Sequence, residues 1–363
     1  MNNLGKIFLG VAGASFLAVI AMLIMGKSGA SIGPMAVTFF IALAIGVRST
    51  PLKGLSFTAW IFASVTASMF YPAYFQEIGG FQLKKLIVPL MQLIMFGMGT
   101  AMSINDFVGV IKMPKGVLVG IICQFTIMPF VGLALAKAFG FPPEIAAGVI
   151  LIGSSPCGLA SNVMNYIAGT NLALAVTLTA VATLIAPIMT PLMMKLLAGT
   201  MVEIVVLEMM WGVVKMVIIP IAAGLLFNKI AHGRAKWLDK TMPIVSMVGI
   251  AYIITIITAA GRDNLIVIGP LLVIAAIIHN SLGYIFGYWG SRMTGLNKTD
   301  CRTIAIEVGL QNGGLASGLA LEMGKVATVG LAPAVFGPWM NISGSALANW
   351  WRGHPIKEDQ EDK

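Results

Sequence analysis

The sequence predicts an all-α polytopic membrane protein made of two similar halves, and three observations carry that reading. Apolar residues fill 58% of the 363 positions and charged residues only 10%, with a mean hydropathy of +0.92. One soluble domain of this length cannot arrange such a balance. Apolar runs, most of them close to the roughly 20 residues of a spanning helix, follow one another from end to end. Two of these runs are broken by similar polar, glycine-rich stretches, Gly153 to Asn162 (GSSPCGLASN) and Glu307 to Ser317 (EVGLQNGGLAS). They share the tetrapeptide GLAS, which begins at Gly158 and Gly314, 156 residues apart. Paired interruptions in corresponding positions point to the binding site of a secondary transporter, where unwound backbone and half-helix ends hold ions and substrate.

In chain order the runs fall near 5–25, 32–47, 55–76, 86–104, 115–139, 144–167, 171–197, 209–228, 242–260, 264–290, 302–322 and 326–350. The first resembles a signal peptide in having Lys6 at its start and Ser28-Gly29-Ala30 after it, but its length and the spans that follow favour an uncleaved helix. With the second run it forms an extra N-terminal transmembrane hairpin over residues 1–50, suited to accessory packing. Residues 353–363 end in a charged tail, KEDQEDK from Lys357 to Lys363, which reads as solvated. An even number of spans puts both termini on one side. Of the 23 Lys and Arg residues, fifteen fall on that side and seven on the other, with Lys215 inside an apolar run. The bias predicts cytoplasmic termini in a bacterial inner membrane. Lys215 reads as a lysine reaching toward an interface or as a pathway residue. The net charge of +9 follows from these short loops and not from nucleic-acid binding. Cys123, Cys157 and Cys301 lie in or beside apolar runs and read as free thiols, with no disulfide or metal-ligand spacing.

Glu307 is the residue that most needs a reason. An unpaired carboxylate near the centre of a spanning helix costs on the order of 2.5–3.5 kcal/mol, so it should face a cavity, a cation or a partner. Gln311 and Asn312 lie about one turn on, and Gly309, Gly313 and Gly314 allow the helix to unwind and free its carbonyls. Carboxylate, amide and carbonyl oxygens together suit a small hard cation. The alternative is a hydrated, structural glutamate near the cytoplasmic end of its span. The first interruption adds Ser161 and Asn162, and the next span carries Thr179 and Thr183 at i and i+4. Thr183 is expected to bond only its own helix carbonyl, while Thr179 is open to either role. Gln124 is a buried amide near the kinking Pro129, either a ligand or an interhelical bond. His279 and Asn280 form a separate pair. Asn280 follows Gln124 by 156 residues, the offset of the GLAS repeat. Packing is the favoured role for the pair, with proton coupling through His279 as the other.

The segments QFTIMP, GLASNVMNYIAGTNLALAVTLTAVATLIAPIMTPLM, EVGLQNGGLASGLAL and PWMNISGSALANWW, in this order along the chain, resemble the bile acid:sodium symporter family, within the wider group of bile and arsenite transporters. The resemblance covers about residues 55–352. It implies two five-helix inverted repeats, 51–198 and 199–352, folded into panel and core domains with two broken helices crossing in the core. It also implies one sodium site at Ser161, Asn162, Thr179 and Glu307. A second would use Gln124, Glu307 and Gln311 with the carbonyls of Val308 and Leu310. Ala175 stands where the family has a serine ligand, so the first site lacks one hydroxyl here. Asn312 and Asn341 match substrate-facing positions, with Gly313 beside them. Met340 and Leu159 replace the more polar histidine and threonine of bile-acid carriers.

The expected function is sodium-coupled uptake of an organic anion by alternating access. Sodium is the coupling ion, and no organic cofactor is expected. Two sodium ions with one monoanion would move one net charge, worth about 2.3 kcal/mol per 100 mV. Bile acids, pantoate-like hydroxy acids, oxo acids and sulfated sterols all suit a pocket of Asn, Gly, Leu, Met and Ala. The competing readings are a proton-coupled carrier, an exporter of arsenite or another oxyanion, and a channel or anion sensor that carries nothing. An enzyme is disfavoured by the lack of a phosphate loop, a metal-ligand cluster or a nucleophile, base and acid set.

Overall fold

The computed structural model describes residues 3–26, 29–50, 56–103, 105–231 and 236–356. Within them the protein is almost wholly helical. Two helices, α1 (Asn3–Ile24) and α2 (Gly29–Val47), pack along each other, and α2 packs on α3 (Ser56–Phe70). The expected run 55–76 ends early as a helix, because Pro72 follows Tyr71 and a residue before proline is pushed out of the helical region. A 3₁₀ turn and a two-stranded hairpin, Glu77–Ile78 with Phe81–Gln82, lead instead to α4 (Ile87–Ala101). The hairpin turn uses Gly79 and Gly80 at φ +58° and +82°, values that favour glycine. A short helix, α5 (Asn105–Lys112), precedes the long α6 (Pro114–Ala138).

The first interruption divides one span into α7 (Pro143–Ser154) and α8 (Leu159–Ala168). After α9 (Leu172–Ala198) come α10 (Val206–Val213) and α11 (Ile219–Ala231), joined by a π-helical turn, Val214–Ile218, that contains Lys215. Next are α12 (Lys236–Ala260) and α13 (Arg262–Met293). The second interruption divides α14 (Lys298–Gly309) from α15 (Gly313–Glu322), and α16 (Leu331–Gly353) follows. Each of the twelve apolar runs therefore contains a helix or a broken pair. The two broken pairs match in length, 12 and 10 residues in both. Among the described residues six helical segments are long and apolar enough to cross a membrane, and the protein is an all-α polytopic membrane protein. The tail from 357 and the connection at 27–28 lie outside the described residues.

Two helical groups can be distinguished by packing. One contains α3, α4, α11 and α12; the other contains α6 to α9 and α13 to α16. They meet where α4 and α12 touch α15 and where α3 and α12 touch α16, while α10 packs on α9 and α15 of the second group. Within the second group α13 and α14 approach very closely. A Cβ added at Gly283 would stand 2.9 Å from the Gly309 Cα, so glycine on both helices permits the contact.

Candidate functional site

The two interruptions meet. Pro156 cannot donate a backbone hydrogen bond and pushes Ser155 into an extended conformation, so α7 stops at Ser154. Leu310 is extended as well, with φ −106° and ψ 93°. The freed strands then pair antiparallel around Cys157 and Gln311. Gly158 N donates to Leu310 O at 2.9 Å, and Asn312 N donates to Pro156 O at 2.8 Å. Backbone groups released by the breaks are thus satisfied inside the protein, as they must be away from water. Asn312 caps α15 with its side chain, accepting from Leu315 N at 3.0 Å.

Glu307 lies at the end of α14, buried to 2% exposure. Thr179 Oγ1 donates to its Oε2 and Asn165 Nδ2 donates to its Oε1, both at 2.9 Å. Ser161 and Cys157 stand beside the same carboxylate, and Asn162 Oδ1 lies 3.3 Å from Thr179 Oγ1. Three elements, α8, α9 and the first interruption, therefore converge on the α14 carboxylate with neutral hydroxyl, amide and thiol groups. Ala175, one turn before Thr179 on α9, brings only a methyl group.

A second polar set adjoins it. Gln124 Nε2 donates to Gln311 Oε1 at 2.6 Å and to Ser155 O at 2.9 Å. Gln311 Nε2 donates to Val308 O at 2.5 Å. The Leu310 carbonyl is already bonded to Gly158 N. Gln124 Oε1 is buried and has no hydrogen-bond partner among the described residues, an acceptor that costs about 1–3 kcal/mol if nothing compensates it.

A cavity of about 140 Å³ opens beside the crossing. Its floor is the first turns of α8 and α15, with Leu159, Asn312 and Gly313. Met340 and Asn341 of α16 form one side and Met91 of α4 with Ile253 of α12 the other. All five residues expected to face substrate thus lie on one wall system. The N-terminal ends of α8 and α15 both face this cavity, each carrying roughly half a positive charge from the aligned peptide dipoles. The C-terminal ends of α7 and α14, with their carbonyls, lie on the side of Glu307 and Gln124.

His279 sits away from the cavity, with Nε2 3.2 Å from the Met128 carbonyl oxygen and its ring against Phe336. Asn280 Nδ2 donates to Gly309 O at 2.8 Å. Gln124 and Asn280 therefore make equivalent contacts, each donating to a carbonyl where the first half of a broken helix ends. Ser343 Oγ completes the Asn280 amide. The Thr183 hydroxyl, expected on its own helix carbonyl, makes no hydrogen bond among the described residues. Sequence reasoning missed Asn165, although it lies one turn from Ser161 and so on the same face of α8. Lys215 is half exposed, 3.9 Å from Glu322.

Comparison with known proteins places this architecture. The model of the sodium bile acid symporter family matches residues 88–268, a stretch that includes Gln124, Ser161 and Thr179. An uncharacterised sodium-dependent transporter of Bacillus subtilis is 35% identical over 299 residues, covering 82% of this chain and 91% of that protein. A probable chloroplastic sodium/metabolite cotransporter of Arabidopsis thaliana is 31% identical over 264 residues, 73% of this chain and 66% of its own length. The human ileal sodium/bile acid cotransporter is 32% identical over 252 residues, 67% and 71% of the two chains. Similarity of this extent, together with a buried carboxylate at the meeting point of two broken helices, shows that the chain belongs to the sodium bile acid symporter family.

Proposed function

We propose that this protein is a sodium-coupled carrier that takes up a small organic anion by alternating access. The observation that carries the reading is Glu307, a buried carboxylate ringed by neutral donors at the crossing of two broken helices, one helix end from a cavity. Sodium would bind at Ser161, Asn162, Thr179 and Glu307, and again among Gln124, Gln311, Glu307 and the carbonyls of Val308 and Leu310. The uncompensated Gln124 Oε1 supports the second site. The anion would bind over Asn312, Gly313, Leu159, Met340 and Asn341, drawn by the positive ends of α8 and α15. A volume near 140 Å³ is well below the roughly 300–1,000 Å³ of pockets for drug-sized ligands, which favours a small carboxylate such as an oxo acid or pantoate over a steroid. The names of the relatives, one carrying metabolites and one bile acid, bracket that choice.

The same reading divides the chain into inverted repeats at 51–198 and 199–352, with panel and core domains. It is supported by the matching half-helix lengths and by the equivalent Gln124 and Asn280 contacts. Residues 1–50 add a hairpin, and both termini are cytoplasmic in a bacterial inner membrane. The test is thermal stability of the purified protein in sodium, potassium or choline chloride with a panel of organic anions. Sodium should raise the melting temperature, one small carboxylate should raise it further, and Glu307→Ala and Gln311→Ala should abolish the sodium response. Equal melting in all three salts would overturn sodium coupling.

A further inference from the structure

The bond from Asn165 to Glu307 has a direction that bears on ion binding. An amide N–H presents partial positive charge to Oε1, as a cation would, so the amide and a cation compete for the same oxygen. The amide is held from its other end. Thr170 Oγ1 lies 2.6 Å from Asn165 Oδ1 and 3.2 Å from the Asn165 backbone oxygen. With the hydroxyl donating to Oδ1, the nitrogen is the end turned to the carboxylate. Both Asn165 and Glu307 are buried, so bulk water is not the competing donor. Ala175 offers no hydroxyl from the neighbouring turn of α9; the amide holds Oε1 and Thr179 holds Oε2, with Ser161 and Cys157 beside the same carboxylate.

Resting on the sodium-coupled reading above, we propose that Asn165 is a positioning residue that holds Glu307 in place of sodium and thereby weakens sodium binding. Its N–H satisfies the carboxylate when the cation departs, so the carrier can return across the membrane without a bare buried charge. When sodium enters, the amide yields Oε1. The residue sets the sodium concentration at which the carrier loads, and it does so without touching the anion.

The experiment titrates sodium chloride against choline chloride at constant ionic strength and pH 8.5, reading the melting temperature of wild type, Asn165→Leu, Asn165→Ala and Thr170→Val. Both Asn165 variants should melt below wild type in choline and reach half-maximal stabilisation at about tenfold lower sodium, since a hydrogen bond to a charged group is worth a decade or more in affinity. Thr170→Val, which frees the amide to turn, should move the midpoint the same way by a smaller factor. An unmoved midpoint with an equal loss of stability in both salts would make Asn165 a packing residue. A higher midpoint would make it a sodium ligand; either result overturns the proposal. If neither Asn165 variant folds, an unmoved midpoint in Thr170→Val also overturns it. A wild type indifferent to sodium would remove the coupled reading and this inference together, whereas a responsive wild type with unmoved variants removes the inference alone.

Discussion

At the scale of single residues, burial makes several polar atoms of the crossing expensive to leave unpaired. Gln124 joins the Ser155 carbonyl to Gln311 and keeps one oxygen uncompensated. Gln124→Leu should therefore leave the fold intact but reduce the sodium-induced rise in melting temperature by at least half, a change readable in the same salt comparison. An unaltered response would make the amide a mere interhelical tie. Much of this was legible in the sequence: Glu307 stood out because a lone carboxylate in an apolar run demands a partner, and Gln124, Gln311 and Thr179 were the polar groups at hand. Asn165 was not legible. Its spacing from Ser161 was visible, but only the turn of α8 around the crossing shows that its nitrogen, not its oxygen, meets the carboxylate. Thr183 failed in the other direction, because the general habit of membrane threonines did not decide the rotamer of this one.

At the scale of elements, the broken helices matter through their ends. Asn297 caps α14 by accepting from Asp300 N at 2.7 Å, and Asn312 caps α15 by accepting from Leu315 N at 3.0 Å. Replacing either with alanine should cost about 1 kcal/mol of stability. Only Asn312→Ala should also weaken anion-dependent stabilisation, because only that cap lies on the cavity wall. Equal effects of both variants on the anion response would separate the cavity from substrate binding. Close packing behind the crossing can be tested in the same way. A Cβ at Gly148 on α7 would fall 2.3 Å from the Val329 carbonyl oxygen, a backbone atom that cannot swing aside. Gly148→Ala should lower stability by about 1–3 kcal/mol, measured by thermal unfolding in detergent. The existence of the two breaks was plain from their Gly, Pro and Ser content. Their antiparallel pairing was not, since it joins residues some 150 positions apart and no local pattern specifies it. The end of α3 at Phe70 was overrun in the sequence reading because hydropathy continues through Tyr71 and Tyr74, while the following Pro72 governs the backbone.

At the scale of the whole molecule, the helices fall into two packed groups, with Glu307 and its polar partners inside one and the cavity between that group and the other. Lys215 and Glu322 approach each other across that boundary. The α1–α2 hairpin packs on α3 and stands apart from the crossing. Removing it exchanges helix contact for lipid contact, and lipid tails are as apolar as the side chains they replace. A chain lacking residues 1–48 should therefore keep its sodium midpoint within about twofold; loss of the response would give the hairpin a part in the ion site. The most direct test of the central claim is flux in proteoliposomes containing the anion selected by thermal stability, with an inward sodium gradient imposed on wild type and on Glu307→Gln. Accumulation of the anion above equilibrium in sodium, absent with a potassium gradient and lost in Glu307→Gln, is the predicted result. Uptake that ignores sodium, or that Glu307→Gln sustains at the wild-type rate, would contradict the account.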